Sequence, residues 1–137
     1  MCTVEMKAFG QRLRRFLRRA EAYAILDAHV GGTWMAGGCW LLAEALAPLV
    51  QRPLVAVWSF AGAGIVQQHV VLQLAEDCFL DADGAQSATA LLRKMVRVER
   101  LDQPYLDRFD PHAATGMSCP TRGVHQLQQA LRRTLMA

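Results

Sequence analysis

Gly37-Gly38 runs directly into Cys39-Trp-Leu-Leu-Ala-Glu-Ala-Leu46, and this stretch constrains the chain more than any other. The segment reads as helix, and Glu44 is its only charged residue. Trp40, Ala43 and Ala47 on one side and Leu42, Leu46 and Leu49 on the other leave little polar surface. The helix therefore has to be central and covered by the rest of the fold. Ala47-Pro48 is expected to kink or end it near Leu46. Its first residue is a cysteine. The first turn of a helix exposes unpaired N–H groups and the positive end of the dipole, which favour thiolate over thiol. Gly37 and Gly38 let the backbone turn sharply and leave room for a substrate to reach Sγ.

A chain of 137 residues, 53% hydrophobic and 20% charged, supports one globular domain over 1–137. A net charge of +3 excludes a protein that coats nucleic acid along its whole surface. Cys2, Cys39, Cys78 and Cys119 are widely spaced with no C-x-x-C. That spacing argues against a zinc knuckle, a thioredoxin-type motif and a disulfide-stapled secreted scaffold. The N-terminus turns basic before any continuous apolar run, so no signal peptide is legible. The apolar window Trp34 to Val50, interrupted by Glu44, is too short to cross a bilayer. A reducing, cytoplasmic setting is the expectation.

The pattern from Val4 to about Asp27 is helical. Phe9, Leu13, Phe16, Leu17, Ala20 and Ala24 recur at three- and four-residue steps, and Gly31-Gly32 closes the run. Arg12, Arg15 and Arg19 turn the other way and, with Arg14 and Arg18, make a basic face suited to nucleic acid, an acidic partner or a membrane surface. Leu54 to Phe60 and Val66 to Leu74 read as strands separated by Ala61-Gly-Ala-Gly64, a G-x-G with no third glycine and no helix pattern after it. Ala75 to Asp77 turn the second strand into a return strand, Cys78 to Asp83, which Gly84 ends. Ser87 to about Val98 reads as helix, Asp102 to Gly123 as loop, and Gly123 to Leu135 as a last amphipathic helix. The class is α+β: N-terminal helices on a small antiparallel sheet, with a C-terminal helix.

A thiolate nucleophile needs a base, and the base needs an orienting group. Of His29, His69, His112 and His125, only His69 falls in a firm strand. If residues whose numbers sum to 152 pair across the hairpin, His69 faces Asp83 with Asp81 diagonal on the same face. Parity alone does not choose between the two carboxylates. Asp107, Asp110, His112, Cys119 and His125 match no metal-ligand spacing, so no metal or other cofactor is expected.

Gly38-Cys39-Trp40 at a buried helix start, then His69 in a strand, then Asp81 on the next strand, resembles the chain order of papain-like cysteine hydrolases. The resemblance covers roughly Gly31 to Gly84 and is strongest to the compact bacterial and phage members of that superfamily. It implies a papain-like core with Cys39 as nucleophile, His69 as base and Asp81, rather than Asp83, as orienting acid. The implied chemistry is a thiol protease, amidase or deamidase acting on a peptide or protein substrate. Thr33, Trp34, Gly38 and Trp40 are the candidate substrate contacts, with Trp34 as a substrate wall and Trp58 as core. Papain-type enzymes carry a glutamine shortly before the nucleophile, and Gly32-Thr33-Trp34-Met35-Ala36 has none. The oxyanion hole would then use the Cys39 N–H and a second donor, the Thr33 hydroxyl or a loop N–H. The rival expectation is an inactive fold that docks an acidic partner or nucleic acid through Arg12, Arg15 and Arg19.

Overall fold

The computed structural model describes residues 1–113 and 117–136. The helix that opens at Cys39 (α3, Cys39–Val50) buries Leu41, Leu42, Ala43, Ala45 and Leu46. Pro48 sits inside its last turn without ending it, because the one backbone bond it removes lies close to the helix end. The helix stops at Gln51, whose φ of 54° is left-handed.

The N-terminal helical run is two helices, α1 (Val4–Leu17) and α2 (Ala20–His29), broken at Arg18 and Arg19. Thr3 Oγ1 caps α1 by accepting from the Met6 N–H at 3.1 Å. The break lets Leu13, Phe16 and Leu17 of one helix and Ala22 and Leu26 of the other enter the same core. Gly10 lies where α1 crosses the sheet: a Cβ there would stand 2.6 Å from the Ala85 nitrogen.

Strands β1 (Leu54–Ala61), β2 (Gly64–Ala75), β3 (Cys78–Asp81), β4 (Gly84–Gln86) and β5 (Asp102–Arg108) form one antiparallel sheet in the order β4-β3-β2-β1-β5. Val70, Leu72, Leu74 and Leu80 face the large core built by α1, α2, α3 and α5 (Thr121–Leu135). Val57, Val71 and Phe79 face the other way, onto Leu91 and Met95 of α4 (Ala88–Arg97). The fold is α+β with a C-terminal helix. No helix among the described residues is long and apolar enough to cross a membrane.

Three further sequence expectations need correction. The return strand does not reach Asp83: β3 stops at Asp81, and Ala82-Asp83 form a two-residue turn that pairs Asp81 with Gly84. The stretch 102–123 is not all loop, since it holds β5, a 3-10 turn at Pro111–Ala113 and the start of α5; its residues 114–116 lie outside the described part. Pro104 hid β5, but β5 is an edge strand, where a missing N–H is tolerated. Finally, Cys2 and Cys78 are joined by a disulfide, which ties the chain ahead of α1 to the start of β3.

Candidate active site

The site is built where β3 falls short of β2. Their pairing runs from Ala75↔Cys78 to Leu72↔Leu80, so the β2 backbone before it has no β3 neighbour. The start of α3 fills that gap: the Val70 N–H donates to Cys39 Sγ at 3.4 Å. Leu42 N–H bonds the Gly38 carbonyl, so the Cys39, Trp40 and Leu41 amides ahead of it have no helix carbonyl to bond.

Two glycines before the cysteine act differently. Gly37 has φ 102°, a conformation that excludes most side chains. Gly38 has an ordinary φ of −91° but no room, because a Cβ would lie 2.7 Å from Leu26 Cδ1 and 2.9 Å from the Thr33 carbonyl. Gly38 is therefore a packing residue buried under the loop.

His69 and Asp81 come from neighbouring strands on the α4 side of the sheet. His69 Nε2 and Asp81 Oδ2 are 3.0 Å apart, with both residues buried. Asp83 does not reach His69. It supports Asp81, through its N–H to Asp81 Oδ1 at 2.9 Å and through Lys94, whose Nζ donates to Asp81 Oδ2 (2.9 Å) and Asp83 Oδ2 (3.1 Å). Gln86 Nε2 donates to Asp81 Oδ1 at 3.0 Å. Four donors thus fill the acceptor capacity of one carboxylate.

The electrostatics follow from these contacts. Burial works against charge on Asp81, yet His69 and Lys94 outweigh it and hold the carboxyl down at about 2. Burial likewise works against imidazolium, but the hydrogen bond and charge of Asp81, aided by Cys39, lift His69 to about 9. His69 is thus an imidazolium at neutral pH. With Nε2 on Asp81, Nδ1 is the nitrogen left to exchange a proton with Cys39. Nδ1 has no hydrogen-bond partner among the described residues, and Cys39 Sγ instead donates to Met117 Sδ at 3.2 Å. In this state Met117 covers the thiol.

A bulge in β2 shapes the same region. Val57 pairs with His69 and Trp58 with Gln67, so Gln68 is an extra residue. Without it, Gln67 and His69 would share a face. Turned to the opposite face, the buried Gln67 clamps the Asp110 backbone, accepting from its N–H at 2.8 Å and donating to its carbonyl at 2.9 Å. That anchors the backbone at Asp110, just ahead of the 3-10 turn.

The remaining candidates do less. Thr33 Oγ1 accepts from the Ala36 N–H at 2.9 Å and shapes its own loop. Trp34 is 4% exposed, with its Nε1 donating to the Leu17 carbonyl at 3.2 Å, and it lines a cavity with Thr33 and Met35. Trp40 is half-buried, bonded to Glu44 Oε2 at 3.0 Å and tilted against Phe109. Trp58 is half-buried rather than core, with its Nε1 on the Arg108 carbonyl. Lys94, Gln86 and Met117 were not anticipated from sequence. Lys94 carries a faint signal, as a lysine in the helix that follows the Asp81 hairpin. Among the described residues no three His, Cys, Asp or Glu side chains converge as metal ligands.

No protein-family model, curated protein or solved structure matches this chain.

Proposed function

We propose that the chain is a small cysteine-dependent hydrolase of amide or peptide bonds, with Cys39 as nucleophile, His69 as acid and base, and Asp81 as the orienting carboxylate. One observation carries the reading: a helix-start cysteine lies beside a buried histidine whose far nitrogen is held by a fully hydrogen-bonded carboxylate. In acylation the Cys39 thiolate bonds the substrate carbonyl carbon. The C–N bond breaks as His69 gives its Nδ1 proton to the departing amine, leaving an acyl-thioester. In deacylation His69 takes a proton from water, the hydroxide adds to the thioester carbonyl, and the C–S bond breaks to restore the thiolate. Peptide hydrolysis, side-chain deamidation and acyl transfer to an amine share these steps. The Cys39 amide supplies one oxyanion donor, and the Thr33 hydroxyl proton is a candidate for the second.

The test is iodoacetamide labelling of the native chain at neutral pH with peptide mapping, followed by product analysis of a synthetic peptide library. Selective labelling of Cys39 with cleavage or deamidation that labelling abolishes supports the reading. An unreactive Cys39 with no product sinks it.

A second reading rests on α1. Arg12, Arg14, Arg15, Arg18 and Arg19 are all exposed; Arg12 lies over Phe9 of its own helix, and Arg19, just past the end of α1, lies over Phe16. That face suits an acidic partner or nucleic acid, and its mark would be salt-dependent binding lost on replacing Arg12, Arg15 and Arg19. The Cys2–Cys78 disulfide favours an oxidising compartment over the reducing cytoplasm expected from sequence.

A further inference from the structure

We propose that the amine released by this site carries a second positive charge, selected by Glu99 at a cavity on the His69 side. The inference rests on the hydrolase reading above, because it concerns that reaction's leaving group. The departing nitrogen takes its proton from His69, so the group attached to it must lie against that ring. A cavity of about 180 Å³ is lined there by His69, Met35, Gln68, Met95, Glu99 and Leu101. Met95 is buried and Met35 and Leu101 are half-buried, a wall suited to the methylene stem of a long side chain. Glu99 is exposed at this wall and is its one carboxylate.

Glu99 makes no ion pair among the described residues, and its sequence neighbours Arg97 and Arg100 do not line the cavity. The other side of the site is different. Across Ala36, which borders both, a cavity of about 400 Å³ is lined by Val30, Gly31, Gly32, Gly37, Met117 and Ser118, with no charged side chain. Neutral backbone faces the acyl half of the substrate and a carboxylate faces the amine half. A lysine- or arginine-like group places its stem on Met95 and Leu101 and its cation at Glu99.

Amino-acid amides mimic the released amine and bind without catalysis, so the first probe is the full-length Cys39→Ala chain titrated with lysinamide, norleucinamide and glutamic acid α-amide, followed by NMR. Lysinamide should shift the amides of Gln68, Met95, Glu99 and Leu101 and bind about fivefold more tightly than norleucinamide, the size of one partly exposed ion pair. Glu99→Gln should erase that difference and Glu99→Lys should turn it toward the glutamate amide. Equal binding of lysinamide and norleucinamide, or a preference that survives Glu99→Gln, would overturn the proposal. The unmodified chain, given a peptide library, should release fragments with lysine or arginine enriched at their new amino termini. Cleavage without that enrichment overturns the charge selection alone. Lysinamide binding without any cleavage overturns the hydrolase reading, and the leaving-group assignment with it.

Discussion

The two free cysteines, Cys39 and Cys119, differ in burial and in the charge beside them. Cys39 is 3% exposed, whereas Cys119 is only half-buried, its Sγ 4.0 Å from the Trp40 carbonyl. Exposure alone would make Cys119 the more reactive. On the proposed reading charge reverses that order. Burial and the Glu44 carboxylate push the Cys119 thiol up to about 12, while Cys39 faces an imidazolium that Asp81 holds protonated to about 9. On the proposed reading, the sign of the nearest charge, which three distant chain segments have to assemble, makes one thiol inert and the other a nucleophile.

The sharpest way to break the contrast is to remove the imidazolium. Cys39→Ala should abolish turnover, and His69→Ala should lower it about 10²–10⁴-fold, the usual weight of a general acid–base group. Cys119→Ala should leave it unchanged. If the His69 and Cys119 replacements cost the same, the comparison has no chemical content.

Next comes Asp81→Asn, which leaves Lys94 and His69 without their buried counter-charge. Urea unfolding should register a loss of about 3–5 kcal/mol, typical of breaking a buried ion pair from one side. The pair also predicts a pH window. His69 binds its proton more tightly folded than unfolded (about 9 against 6.5), so its contribution is complete below pH 6.5 and fades as pH rises through 9. Asp81 binds its proton more weakly (about 2 against 3.8), so its contribution is complete above pH 3.8 and fades as pH falls through 2. Thermal unfolding should therefore be highest between these limits, and Asp81→Asn should flatten both flanks. A wild-type melting temperature that keeps rising from pH 6.5 to 9 would contradict the pairing.

A smaller effect is expected at the cover. Met117→Ala should raise the iodoacetamide rate of Cys39 severalfold without changing Cys119, because the Cys39 thiol donates to that thioether. Smallest is Glu44→Gln, which should modestly increase Cys119 labelling at alkaline pH while leaving Cys39 ahead. Overtaking of Cys39 by Cys119 in that variant would show that burial, not charge, orders the two.

Much of this was legible in the sequence because the signals are local. The all-apolar face pattern of Cys39 to Leu46 required a buried helix, the glycines marked its entry, and the β-branched runs marked β1 and β2. The order cysteine, histidine, aspartate could be read along the chain. The division of the first helical run at Arg18-Arg19 could not, since arginine is a good helix former and only the need to seat both Phe16 and Leu26 in one core favours the break.

By itself, then, the sequence determined the central helix and the residue that begins it, the first two long strands and the two later helices, because period and capping act over a few residues. Only the tertiary structure decided that Asp81 rather than Asp83 meets His69: β3 ends at Asp81, a two-residue turn carries Asp83 away, and parity is blind to where a strand stops. It also decided that Trp34 faces inward, that a bulge at Gln68 separates Gln67 from His69, and that Lys94 and Met117 belong to the site. Each depends on contacts between residues far apart in the chain, whose energies exist only once the sheet and its covering helices have met.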